Sequence, residues 1–263
     1  MSKSRLNCLI LLAAIALANA TEFYDIGSWR RPLFATLLLI SIVVGSQTRS
    51  WATLGCTLLL FSLHFYGLVV PHWFHALPVF GFLLPFLFTS AILLAFPPTR
   101  DYFGWFSRGK IDRTSVVMLI LTSVFSVAAL ILWAFWTNNL GYGAVFVKAF
   151  GATPRWQIFT VFIPAFALAN AFAEEVVFRG LIQESLSRVF RNTYLVLILQ
   201  ASAFAAAHFS GGFPNGYLGY LMTFVYAMML GYLRKRSNGI LAPYVAHVIA
   251  DTTIAGLLVY LAT

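Results

Sequence analysis

Apolar runs about as long as a bilayer is thick fill most of this sequence and restrict the chain to a membrane environment. A transmembrane helix needs roughly 20 consecutive apolar residues to cross the hydrocarbon core. Candidate runs occur at residues 6–20, 32–46, 51–70, 74–96, 114–136, 158–183, 193–209, 216–233 and 240–262. The pattern predicts an all-α, polytopic transmembrane helix bundle that forms a single membrane domain over residues 1–263.

The charge content excludes the main soluble alternatives. Only 10% of the 263 residues are charged and 60% are apolar, whereas an average soluble domain carries about 25% charged residues. This composition excludes a water-soluble enzyme, a disordered chain and a nucleic-acid-binding module. The net charge of +9 comes from basic residues in the breaks between apolar runs, where they act as topology signals. Cys8 and Cys56 lack the spacing of a metal site or a disulfide framework.

Three basic loops predict the orientation of the chain. They contain Arg100, Arg108, Lys110 and Arg113; Arg188 and Arg191; and Arg234, Lys235 and Arg236. Threading the helices back and forth places all three loops on one face, which the positive-inside rule makes cytoplasmic. We therefore expect a multi-pass cell-membrane protein with its C-terminus outside.

The first segment leaves the number of spans open. Nine spans would put Lys3 and Arg5 on the outer face, against the positive-inside rule. Residues 1–20 also resemble a cleavable signal peptide. Cleavage there, or a re-entrant run near the N-terminus, would remove the conflict. We expect about eight spans.

Ionisable side chains in the last three motif-bearing runs indicate where function resides. An ionised carboxylate at the centre of a membrane helix costs at least about 2.5 kcal/mol, so such residues are functional candidates by default. The candidate catalytic residues are Glu174, Glu175, Arg179, His208, His247 and Asp251. All of them lie within residues 155–263, which we expect to form the catalytic core.

Helical spacing predicts how the two adjacent glutamates differ. Glu175 and Arg179 are four residues apart and can pair along one face. Glu174 is rotated by about 100° from Glu175 and is free to face a cavity. Asn170 lies one turn earlier on the same face and could donate a hydrogen bond to Glu174. A buried ion pair that only fixes helix packing is the alternative for Glu175 and Arg179.

The two histidines occupy positions from which they can approach Glu174. Three small residues precede His208, so its helix can pack closely against a neighbour. His247 and Asp251 lie one turn apart on one face of the last helix. For His208, the alternative is a hydrogen-bonded core histidine. For His247 and Asp251, the alternative is a pair in which each side chain satisfies only the other. At 1.5 Å per residue, Glu174 and His208 lie about 21 Å from the cytoplasmic ends of their helices and His247 lies about 12 Å from its own. Helix tilt or a broken helix start near Pro243 can absorb this difference of about 9 Å.

These residue types suit peptide hydrolysis. The reaction needs a base for water, a proton donor for the leaving amine and polar groups facing the oxyanion. The sequence has no His-Glu-x-x-His zinc motif, no Gly-x-Ser nucleophile and no pair of aspartates on separate helices. No cofactor is predicted, although Glu174, His208 and His247 could form a His₂Glu zinc site with an open position.

Three motifs together resemble the CPBP family of CAAX proteases and bacteriocin-processing enzymes, also called the Abi family. They are Glu174-Glu175-x-x-x-Arg179, Phe204-x-x-x-His208 and His247-x-x-x-Asp251. The resemblance covers residues 155–263 and implies a glutamate-dependent intramembrane endopeptidase related to type II CAAX prenyl endopeptidases. It implies that Glu174 and His208 activate water, that Glu175 and Arg179 support the site, and that His247 and its partner face the scissile carbonyl.

The sequence departs from this family at Asp251, a position that is commonly Asn. An ionised carboxylate accepts hydrogen bonds but cannot donate them. Either Asp251 is protonated and faces the oxyanion, or it is ionised and orients His247 as the aspartate of a hydrolytic triad does. We favour the orienting role, because His247 is one turn away.

The expected partners are a membrane-associated protein or peptide, which can be prenylated, and the lipid bilayer, with no nucleic acid. Two other functions stay open. A proton-coupled transporter also buries charged residues, but it more often has inverted repeats, which are not evident here. A non-catalytic immunity or scaffold protein could share the helix bundle without needing Glu174.

Overall fold

A computed structural model describes residues 30–47, 104–137, 153–209 and 213–261, together with positions 87, 91, 95 and 151. The candidate spans at 6–20 and 51–70, the possible signal peptide, Cys8 and Cys56 lie outside the described residues. So does nearly all of the candidate span at 74–96.

The described part of the chain is helical and contains no strand. Its helices are α1 (Arg30–Gln47), α2 (Arg113–Thr137), α3 (Arg155–Val189), α4 (Thr193–His208), α5 (Gly216–Ser237) and α6 (Leu241–Leu261). Each coincides with a predicted apolar run, which confirms the all-α class. Among the described residues, α2, α3, α5 and α6 are long and apolar enough to cross a membrane, and α4 is a shorter apolar helix. The total of about eight spans stays a prediction.

The helix α3 is longer than its predicted run and contains two π-helical segments. Over its 35 residues, π-helical segments occur at Ile158–Phe162 and Val176–Ile182. The second segment begins immediately after Glu175 and contains Arg179. A π-helical bulge widens a helix locally and is frequent at functional sites. The motif is therefore located where α3 departs from α-helical geometry.

The core of the described bundle surrounds this second π segment. Every residue from Val176 to Ile182 is buried, and Phe204 of α4 packs into the same apolar cluster. Around it, α4 packs along α5, while α6 packs against both α3 and α2. This arrangement brings α3, α4 and α6, the three helices that carry the sequence motifs, to one place.

Trp105, from the segment before α2, closes this core from one side. It is 3% exposed and belongs to the same cluster. A Cβ atom built on Gly180 would lie 2.6 Å from Cζ3 of Trp105, which is closer than any real contact. Glycine at position 180 therefore allows the indole to lie directly on the backbone of α3.

The segment before α2 is also tied to the turn between α5 and α6. The amide of Lys110 donates to the carbonyl of Ser237 at 2.6 Å, and the amide of Ile240 donates to Ser107 at 2.9 Å. Asp112 accepts a hydrogen bond from the amide of Ser115 at 2.8 Å, so it caps α2. These contacts fix Trp105 relative to the last two helices.

Asp112 also forms an ion pair with Arg236 at 2.9 Å. The hydrogen bond from the Ser115 backbone amide, with a smaller contribution from Arg236, lowers the pKa of Asp112 below its usual value. A lowered pKa means that the ionised form favours the folded state. This contribution is present at neutral pH and is lost as the pH falls through the lowered pKa.

We expect Gly180→Ala to destabilise the protein, because the added methyl group overlaps the Trp105 ring. Overpacking a core typically costs about 1–3 kcal/mol, which a lower melting temperature in detergent will reveal. Gly256→Ala is the matched control, since a Cβ there meets nothing within 4 Å and α6 gains a better helix former. Equal melting temperatures for the two variants would show that the Trp105 contact is not tight.

Candidate active site

The two adjacent glutamates of α3 occupy different environments. Glu175 is completely buried, whereas the side chain of Glu174 keeps 19% of its exposure. The difference follows from their rotation about the helix axis, which turns Glu175 into the core and Glu174 towards α4 and α6. Glu174 is therefore the less buried side chain of the pair.

Glu175 connects a guanidinium and an imidazole through one oxygen atom. Its Oε1 lies 2.9 Å from Nη1 of Arg179 and 2.7 Å from Nδ1 of His247. The predicted pairing of Glu175 with Arg179 is therefore present, and both side chains are almost fully buried. The Phe204 ring covers the guanidinium, with its centroid 4.4 Å from Cζ, and adds a cation–π contact.

The contact with Glu175 determines how His247 is oriented. Because Nδ1 faces Glu175, Nε2 points towards Oε2 of Glu174 at 3.5 Å and Oδ1 of Asp251 at 3.6 Å. Both distances are longer than an ordinary hydrogen bond, unlike the 2.7 Å contact with Glu175. The geometry thus gives the orienting contact to Glu175, whereas the sequence favoured Asp251 for it.

Asn170 joins the two carboxylates that face His247. Its Nδ2 donates to Oε1 of Glu174 at 3.0 Å and to Oδ2 of Asp251 at 3.2 Å. The spacing on α3 predicted the first bond. The second links residues 81 positions apart, and no local signal in the sequence could have identified it.

His208 approaches Glu174 from α4. Its Nδ1 lies 2.9 Å from the carbonyl oxygen of Phe204, which can only accept, so the proton is on Nδ1. The other nitrogen, Nε2, faces Oε2 of Glu174 at 3.9 Å. A polar gap of this length suits a bridging water, which could donate one hydrogen bond to each group.

The cluster combines acidic and basic groups. It contains the three carboxylates of Glu174, Glu175 and Asp251, of which Glu175 pairs with the guanidinium of Arg179, and the two imidazoles of His208 and His247. Carboxylates and imidazoles are the side chains that most often act in general acid–base catalysis. Such a cluster is suited to accepting and returning protons.

No group of three or more His, Cys, Asp or Glu side chains in the described part of the chain is arranged to hold a metal ion. The His₂Glu zinc site considered from the sequence therefore stays a prediction.

An apolar cavity of about 170 Å³ opens beside the cluster. His208, His247 and Asp251 contribute to its wall, and side chains of α2 and α5 form much of the rest. The apolar part of the wall includes Phe125, Leu130, Phe213, Leu221, Met222 and Ile254. The sequence did not single out these residues, because an apolar side chain that lines a cavity looks the same as one that faces lipid. Among the apolar residues of the wall, Phe204 alone belonged to a predicted motif.

All six predicted site residues thus meet in one cluster, with Asn170 as an additional member. Residues 154–253 match the family model described as type II CAAX prenyl endopeptidase Rce1-like. The match contains every residue of the cluster and confirms the resemblance seen in the motifs. No curated protein and no solved structure matches the chain. The match supports a CAAX-type intramembrane protease family for this part of the chain.

We expect Arg179→Ala to lower both stability and activity. Leaving Glu175 buried without its cation should cost about 3–5 kcal/mol, seen as a large fall in the melting temperature in detergent. Arg188→Ala is the matched control on the same helix, because Arg188 makes an i,i+4 pair with Glu184 at 3.0 Å while remaining 47% exposed. An exposed pair contributes about 0–1 kcal/mol. Similar melting temperatures for both variants would contradict a stabilising role for the buried pair.

Proposed function

We propose that this protein is a glutamate-dependent intramembrane endopeptidase in which Glu174 activates water. The observation that carries the proposal is the position of its Oε2 atom, which faces Nε2 of His247 at 3.5 Å and Nε2 of His208 at 3.9 Å. Glu174 is also the less buried of the paired glutamates. A carboxylate between two imidazoles is suited to general-base catalysis.

Water activation follows from the hydrogen-bonding capacity of these groups. In its neutral form, with Nδ1 donating to Phe204, His208 presents an Nε2 lone pair. A water between His208 and Glu174 donates one hydrogen bond to each, which leaves an oxygen lone pair directed at a substrate carbonyl. Glu174 takes the proton as the water oxygen attacks.

The same carboxylate completes the reaction. Glu174 returns its proton to the leaving amine nitrogen as the peptide C–N bond breaks. When His247 carries a proton on Nε2, that group can donate to the oxyanion of the tetrahedral intermediate. Glu175 supports this step by holding Nδ1 of the same ring at 2.7 Å, and Arg179 holds Glu175 in turn.

The apolar cavity supports a membrane-associated substrate. A volume of about 170 Å³ is close to that of an engineered apolar cavity of about 150 Å³ that binds benzene. It can therefore hold one apolar side chain or a short part of an isoprenoid chain beside the cluster. We propose a membrane protein or peptide, including a prenylated CAAX-type one, as the substrate. The enzyme would lie in the cell membrane with its basic loops on the cytoplasmic face.

Asp251 needs a different role from the one favoured by the sequence, because Glu175 already holds His247. We propose that Asp251 accepts a hydrogen bond from Asn170 and so fixes the amide that positions Glu174. Asn170 is then a positioning residue, since it acts through the two carboxylates that it joins.

Glu174→Gln should abolish cleavage while the protein remains folded and inserted, because an amide cannot take a proton from water. The measurement compares membrane-protein processing by the native chain and the variant. Asp112→Asn is the matched control, since it neutralises a carboxylate outside the cluster and keeps a good helix cap. Undiminished cleavage by Glu174→Gln would exclude the glutamate mechanism. Processing that does not depend on the native chain at all would favour the transporter or scaffold alternatives.

Asp251→Asn should retain cleavage to within about tenfold. Its side-chain oxygen can still accept from Asn170, and its amide nitrogen gains donors for the oxyanion. A loss of one essential oriented group would instead cost roughly 10²–10³ in rate. A pH–rate profile of the variant separates these results. A fall of a hundredfold across the whole profile would mean that the ionised carboxylate itself is required.

A further inference from the structure

A second cavity, of about 310 Å³, lies at the end of the bundle that carries basic loops. The end of α3, the beginning of α4 and the end of α5 form its wall. On α3 its lining begins at Gln183, about two helical turns beyond Glu175, so the cavity is separate from the proposed active site. Most of the residues in its wall are polar, unlike those of the first cavity.

The charges of this second cavity are unbalanced. Arg191, Arg234 and Lys235 line it together with a single carboxylate, that of Glu184. That carboxylate is already shared, since its Oε1 lies 3.0 Å from Nε of Arg188 and its Oε2 lies 3.4 Å from Nη2 of Arg234. The cavity therefore has an excess of positive charge.

Arg234 is the residue that points most directly to a ligand. Its side chain is only 9% exposed, and its Nε atom is buried without a hydrogen-bond partner among the described residues. Its contact with Glu184 is long for a charged hydrogen bond, which is usually about 2.7–2.9 Å. A buried guanidinium with an unused donor is costly, and an anion in the cavity would satisfy it.

The side chains that line the cavity favour a phosphate group as the anion. Arginine recognises phosphate with its forked donors, and lysine recognises it as a point charge. Phe190, Val196 and Leu197 form an apolar part of the same wall, which can accommodate the first carbons attached to a headgroup. Basic cavities between membrane helices are known to hold anionic lipid headgroups.

We infer that this cavity binds a phosphate group, held by Arg234 and Arg191 with Lys235 at its rim. Lys235 also donates to Thr193 at the start of α4, so a ligand there would connect α4 and α5. A phospholipid headgroup and a free phosphate ion share the required chemistry. A phospholipid brings apolar acyl chains with its phosphate, whereas a free phosphate ion does not.

The test uses the full chain in nanodiscs of phosphatidylcholine alone, or of phosphatidylcholine with phosphatidylglycerol. Native mass spectrometry counts the phosphatidylglycerol molecules that remain bound, and inorganic phosphate is titrated into the phosphatidylcholine discs in parallel. The variants are Arg191→Gln, Arg234→Gln and Arg108→Gln. Arg191 is exposed and forms no ion pair with any residue that the structure describes, so its variant should fold. Arg108 is an exposed basic residue outside the cavity and serves as the matched control.

We expect the native chain to retain phosphatidylglycerol, and each of the two cavity variants to bind it about tenfold more weakly. One hydrogen bond to a charged group is worth about that factor. The Arg108→Gln variant should bind it like the native chain. Saturable binding of inorganic phosphate with the same dependence on Arg191 would also support the site, and would identify a soluble phosphate as the ligand. Equal binding by the native chain and Arg191→Gln, or an equal loss in Arg108→Gln, would overturn the inference.

Discussion

The buried carboxylate of Glu175 is the interaction on which the rest of the site depends. One of its oxygens is 2.9 Å from Arg179 on its own helix and 2.7 Å from His247 on α6. A carboxylate in an apolar interior is stable only when it is paired and hydrogen-bonded. The pairing of Oε1 of Glu175 therefore links α3 to α6 and at the same time directs Nε2 of His247 towards Glu174.

The winding of α3 makes this arrangement compatible with a packed core. The π segment from Val176 to Ile182 widens the helix just after the paired glutamates, and Gly180 within it leaves room for Trp105. The segment that carries Trp105 is in turn bonded to the turn after α5. The packing of Trp105 on Gly180 thus supports the same helix that carries the paired glutamates.

The two cavities of the bundle differ in the chemistry of their walls. The one beside the cluster is apolar and suits part of a membrane-associated substrate, whereas the one near Arg234 is basic and suits an anion. The helix α4 contributes to both, because its first residues line the basic cavity and its last residue, His208, lines the apolar one.

The sequence by itself determined the helices of the described part, the pairing of Glu175 with Arg179 and the bond from Asn170 to Glu174. These features depend on apolar run length and on helical periodicity, which are local properties of a chain. Only the tertiary structure decided that Glu175 rather than Asp251 holds His247, and that Asn170 also reaches Asp251. Those contacts join residues 72 and 81 positions apart. Their distances are set by how α3 and α6 pack, and helical periodicity contains no information about the rotation of one helix against another.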